Sequence, residues 1–108
     1  MATINISGSD TSNGNLTLSN NNPTVSRNET VTWVIQGNSG VSEITQIHEK
    51  VGSGNVFVGE PGPVAGSTNY SGVIASGATG EETYYIKWKD ASGNEYTYDP
   101  KITVSAQR

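Results

Sequence analysis

Between Thr30 and Ile35 the chain reads Thr-Val-Thr-Trp-Val-Ile, five β-branched residues around one indole. Branching at Cβ restricts χ1 and fits a pleated strand better than a helical turn. An indole in such a run needs deep apolar cover, so other strands must close over Trp33. That stretch commits the fold to β-structure.

The composition agrees. Leucine occurs only at Leu16 and Leu18, and the other aliphatics are mostly Val and Ile. Only 32% of the 108 residues are hydrophobic and the net charge is −4, which approaches the composition of a disordered chain. The apolar residues are patterned, however, and two Trp and five Tyr supply large surfaces to bury. One folded domain spanning residues 1–108, with a modest core, is expected.

Charge and residue types narrow the function. Six basic residues are scattered along an acidic chain, which argues against nucleic acid as a partner. No apolar run reaches the length of a membrane span and no basic amphipathic helix is visible, so no membrane association is expected. The N-terminus lacks a charged-then-apolar signal segment, which fits a cytosolic protein or a mature chain with an added Met. An extracytoplasmic setting, secreted or periplasmic, is the favoured expectation. Without cysteine there is no disulfide, thiolate nucleophile or thiolate metal ligand.

Taken in order, Ala2–Ile6 alternates as a first strand, and Ser7–Gly14 is turn-rich punctuation. Within that loop Asp10-Thr11-Ser12-Asn13-Gly14 faintly resembles a calcium loop, but Asn21 stands where the closing acid belongs. Asn15–Ser19 forms a second strand, broken before Pro23, with Thr24-Val25-Ser26 continuing after the bend. Val41, Ile44, Ile47 and Val51 fall at helical spacing. The β-branched content favours a strand from Val41 to Lys50 with a bulge between Ile44 and Ile47, the alternative being an amphipathic helix. Gly52-Ser53-Gly54-Asn55 ends that element.

Val56-Phe57-Val58 reads as a short strand, Glu60-Pro61-Gly62-Pro63 as a surface loop, and Asn69–Ala75 as a strand. In Glu81–Lys89, Tyr84, Ile86 and Trp88 share one face, while Thr83, Tyr85, Lys87 and Lys89 share the other, the mark of a half-buried strand. A hairpin turn over Asp90–Asn94 leads to Glu95–Tyr98, then a break at Asp99-Pro100 and a last strand Lys101–Val104. Strands this short and evenly spaced imply an all-β, antiparallel Greek-key sandwich of seven to eight strands.

Three of these segments resemble the cupredoxin family. Asn28-Glu29-Thr30-Val31-Thr32-Trp33-Val34-Ile35 is similar to its Gly-Asp-Thr-Val-x-Trp-x-Asn strand. Glu82-Thr83-Tyr84-Tyr85-Ile86-Lys87-Trp88 is similar to its Gly-x-Tyr-x-Tyr-x-Cys strand, and Lys101-Ile102-Thr103-Val104 to its terminal Gly-x-Ile-x-Val. The resemblance implies a cupredoxin-like sandwich and, in the family, a copper held by two His, one Cys and usually a Met. Here the Cys position falls on Trp88 and the following His position on Ala91. The first His position falls near Val41 or Ser42, and Met1 is the only methionine. A blue-copper centre depends on its thiolate, so no such cofactor is expected. The resemblance implies a metal-free fold in which packing, with Trp88 foremost, takes the place of the metal.

Other constellations are thin. His48 is the only histidine, and with Glu43 or Glu49 it makes at most a weak metal site, since structural and catalytic sites converge three or four ligands. No Gly-x-Ser-x-Gly elbow accompanies it. Glu81 and Glu82 point to opposite faces of a strand, and nothing in the sequence joins Glu60 to Asp99 across a cleft. Catalysis is therefore not expected. Tyr85 points away from the core. Tyr96 and Tyr98 share a strand face, and the Pro100 break is expected to free them from the register of Ile102 and Val104. A ligand face including Tyr85, Tyr96 and Tyr98 is the leading candidate for stacking on a carbohydrate or a protein partner, with cross-strand packing as the competing role. The expected function is that of a non-catalytic binding or structural module, with edge strands such as Ala2–Ile6 able to pair between subunits.

Overall fold

The computed structural model describes residues 2–50, 56–59, 61–78 and 80–104. Ten strands form: β1 (Ala2–Asp10), β2 (Asn15–Leu18), β3 (Thr24–Val25), β4 (Thr30–Ile35) and β5 (Val41–Glu49) in the first half. β6 (Gly62–Pro63), β7 (Tyr70–Val73), β8 (Gly80–Asp90), β9 (Glu95–Tyr98) and β10 (Lys101–Val104) follow. They make two sheets in a sandwich-like arrangement, one ordered β2-β1-β4-β7-β6, the other β3-β10-β8-β5 with β9 also on β8.

Both sheets are mixed, not wholly antiparallel as expected. β1 runs parallel to β4, pairing Ile4 with Trp33, and β3 runs parallel to β10, pairing Val25 with Val104. Parallel neighbours need long connections, and the excursions between these strands supply them. The second strand is divided by the break before Pro23, so that β2 serves the first sheet and β3 the second.

The strand reading of Val41–Lys50 holds over Val41–Glu49, and the register shows why its spacing looks helical. Bulges fall between Val41 and Glu43 and between Ile44 and Gln46. Each adds one residue, so Val41, Ile44 and Ile47 all turn inward at a spacing of three. The turn expected at Gly52–Asn55 lies outside the described residues. β1 runs four residues beyond its expected end, to Asp10. Phe57 makes a single bridge to Ile74 instead of a strand. Gly62-Pro63 is a two-residue edge strand on β7, where a loop was expected.

The core lies between the sheets. Trp33, Val31, Ile4 and Ile6 of the first sheet meet Tyr84, Ile86, Trp88 and Ile102 of the second, all almost fully buried. Trp33 sits edge-on to Tyr84 with centroids 5.7 Å apart, and Phe57 packs against both rings. Trp33 Nε1 donates to the Tyr84 hydroxyl at 3.1 Å, which satisfies both polar atoms inside the core. Trp88 lies four residues farther along β8 and packs on Tyr96, 4.6 Å between centroids. The two indoles share one core at different levels.

Candidate binding surfaces

β8 positions the tyrosines. Its alternation sends Glu82, Tyr84, Ile86 and Trp88 inward, and Thr83, Tyr85, Lys87 and Lys89 to the outer face of the second sheet. Ile86 pairs with Tyr98 and Trp88 with Tyr96, and beyond Asp99-Pro100 Thr83 pairs with Lys101 in the same uninterrupted register. The proline break therefore does not free Tyr96 and Tyr98 from the register of Ile102 and Val104. Directly opposed residues share a sheet face, so both rings lean toward the core side and Tyr85 stands on the opposite face. The three tyrosines do not form one surface.

Tyr96 and Tyr98 are tied into the fold. The Tyr96 hydroxyl donates to Asp90 Oδ2 at 3.0 Å and the Tyr98 hydroxyl to Asn21 Oδ1 at 2.9 Å. Partial burial, with the Asp90 carboxylate beside it, raises the Tyr96 phenol above its ordinary value. Burial opposes ionisation of Asp90. The hydrogen bonds from the Asn94 N–H, the Tyr96 hydroxyl and the Ser92 N–H outweigh it and hold the carboxyl low. Asp90 is thus the organiser of the β8–β9 turn.

On the outer face of the second sheet Tyr85 faces His48 across the β8–β5 pairing. The rings are 5.9 Å apart and nearly parallel, at 24°. Lys87 Nζ lies 5.6 Å from the Tyr85 centroid, and the Tyr85 hydroxyl reaches Gln46 Oε1 at 3.3 Å. Two half-exposed rings thus form a ledge among amide, hydroxyl and ammonium groups, with Thr97 paired beside Lys87.

Positions that the resemblance would assign to copper lie near one another, Val41 opposite Asp90 and beside Ala91, but hold no His, Cys or Met. Trp88 and Val41 are buried, while Ser42 and Ala91 are exposed. The Trp88 indole N–H donates to the Gly14 carbonyl at 3.1 Å. Among the described residues no group of three or more His, Asp or Glu side chains is placed to hold a metal ion. Asp10 Oδ1 accepts from the Ser12 hydroxyl and N–H, which lower its pKa and cap the β1–β2 turn.

The acidic residues also stand apart. Asp99 pairs with Lys50 at 2.9 Å, Glu81 with Lys101 at 3.8 Å and Glu43 with Lys89 at 4.0 Å. Glu60, its suggested companion for Asp99, lies outside the described residues. Glu82 is fully buried, with Oε1 accepting the Val56 N–H at 2.6 Å. Its parity with Tyr84 and Trp88 is the sequence signal for that burial, which the opposite facing of Glu81 and Glu82 left unassigned. A groove of about 380 Å³ lies between Glu43–Thr45 and the Pro63–Tyr70 hairpin. Within it the Ser67 hydroxyl is engaged with Val64 and Asn69, and the Thr45 hydroxyl with Lys87 and Glu95. Among the described residues that line the groove, Glu43 carries the carboxylate.

No known family matches this chain, and no curated protein does so either.

Proposed function

We propose that the chain is a non-catalytic binding module on a cupredoxin-like scaffold, and that it recognises a neutral saccharide through the Tyr85–His48 ledge. The strands that resemble cupredoxin segments form as β4, β8 and β10, which supports the scaffold assignment. Trp88 occupies the cysteine position with both its ring and its N–H engaged inside the protein, which supports a scaffold closed by packing.

The observation that carries the binding reading is the ledge itself. A sugar presents an apolar ring face and a rim of hydroxyls. Two steadied aromatic rings suit the first, while Gln46, Lys87 and Thr97 supply donors and acceptors for the second. The ring is already oriented, so little side-chain entropy is lost on binding.

The test is titration of the protein with a panel of soluble neutral oligosaccharides, followed by NMR shifts of the β5 and β8 amides. Binding should perturb His48 and Tyr85, and Tyr85→Ala should weaken it at least about tenfold, the scale of one lost stacking contact. Tyr96→Ala should instead lower stability with affinity preserved. Absence of binding across the panel, or equal affinity in Tyr85→Ala, would sink the reading.

A further inference from the structure

On the outer face of the second sheet the charges answer one another, with one exception. Lys50 pairs with Asp99, Lys89 with Glu43 and Lys101 with Glu81. The Glu95 carboxylate accepts the Thr45 hydroxyl at 3.0 Å. Among the described residues, no carboxylate stands within ion-pair distance of the Lys87 ammonium. The cross-strand partners of Lys87, Gln46 on β5 and Thr97 on β9, are uncharged. Its Nζ rests instead 5.6 Å from the centroid of Tyr85, the ring that stacks on His48. A cation over an exposed ring is held only weakly, and a lysine stem is flexible enough to leave it. The ledge therefore presents a positive charge without a counter-ion beside two aromatic rings.

We infer that the saccharide that fits this ledge best is an acidic one, a uronic-acid unit whose carboxylate is bound by Lys87. The inference rests on the saccharide reading and names the substrate class of that same site. A uronic acid carries its carboxylate at the rim of the pyranose, clear of the C–H face that stacks on an aromatic ring. A unit seated on Tyr85 thus brings its carboxylate to an ammonium already placed at that ring. Lys87 then exchanges a weak contact with the ring for an ion pair, and the sugar above shields that pair from water. Gln46 and Thr97 flank Lys87 and remain for the hydroxyls. A neutral sugar can stack in the same place, but it covers the ammonium without supplying a counter-ion and binds more weakly. The net charge of −4 does not prevent this, because charges more than about 10 Å away are largely screened at 0.1 M salt.

Calorimetric titration of the intact chain with a β-1,4-linked tetramer of glucuronic acid, and with its methyl ester, compares one sugar with and without its charge. At about 20 mM ionic strength, where screening is slight, the acid should bind at least about fivefold more tightly, the scale of one half-exposed ion pair. That preference should shrink at about 0.5 M NaCl. Lys87→Gln should bind acid and ester alike, at the parent's affinity for the ester. Lys101→Gln, which removes a paired lysine from the same face, should keep the preference. An ester bound as tightly as the acid overturns the inference and leaves the saccharide reading standing, and so does a preference that survives in Lys87→Gln. Binding of neither form overturns the inference as well, and the neutral panel then decides the saccharide reading on its own.

Discussion

Tyr84 shows how much of this core depends on a single polar atom. Its hydroxyl is the partner of the Trp33 N–H in a largely apolar interior that also encloses the Glu82 carboxyl. Burial raises the phenol well above its ordinary value, and the Glu82 carboxyl nearby acts in the same direction. A raised folded-state pKa means stability that is complete below about pH 10 and is lost as pH climbs above it. Tyr84→Phe leaves the indole N–H buried without its acceptor and should cost about 1–3 kcal/mol in urea unfolding at pH 7. Part of the alkaline loss should disappear with it, and the raised Tyr96 phenol should contribute to what is left. If the substitution leaves the alkaline limb unchanged, Tyr84 is not the group responsible. Glu82 yields a parallel test through the Val56 N–H it accepts. Glu82→Ala should cost about 1–3 kcal/mol, and Glu82→Gln less, because the amide oxygen can still accept.

At the scale of elements, the β1–β2 turn and the β8–β9 hairpin support each other. Gly14 has φ +80°, and a Cβ there would stand 3.2 Å from Tyr96 Cβ, while its carbonyl receives the Trp88 N–H. Gly14→Ala combines left-handed strain with that contact and should destabilise by about 2 kcal/mol. A loss below about 0.5 kcal/mol would mean that the turn relaxes freely. Asp90 organises the other side, and its lowered carboxyl pKa fixes the sign of its pH dependence. Its contribution is present above about pH 4 and fades as pH falls through the lowered value. The difference in Tm between the parent and Asp90→Ala should therefore be clear at pH 7 and shrink in acid. Strand positions and the inward face of β8 were legible because a period of two is written directly in Tyr84, Ile86 and Trp88. Val41, Ile44 and Ile47 were ambiguous because two bulges imitate a helical spacing. The candidate surface was only partly legible, since Tyr85 reads as outward from its own strand, whereas Tyr96 and Tyr98 depend on a register carried through Pro100. A proline removes a donor but need not shift the pairing, and here the Pro100 carbonyl still accepts the Tyr84 N–H at 3.1 Å.

For the whole molecule, the two parallel pairings set the order of events in folding. β1 can meet β2 through a short turn, but β3 meets β10 only after nearly the full chain has been placed, Val25 against Val104. Closing so long a loop costs entropy before the contact returns any stabilisation. The β8–β9 hairpin is local, and its Trp88–Tyr96 pair can form early. Trp33 becomes shielded only when the second sheet, with Tyr84, docks on the first. Refolding followed by tryptophan fluorescence should therefore fall in the millisecond-to-second range typical of non-local β-folds. Val25→Ala should accelerate unfolding more than it slows folding, because its contact forms late. Tyr96→Ala, at a local contact, should slow folding. The reverse pattern, with Val25→Ala slowing folding and Tyr96→Ala affecting only unfolding, would place closure of the β3–β10 pair ahead of the hairpin.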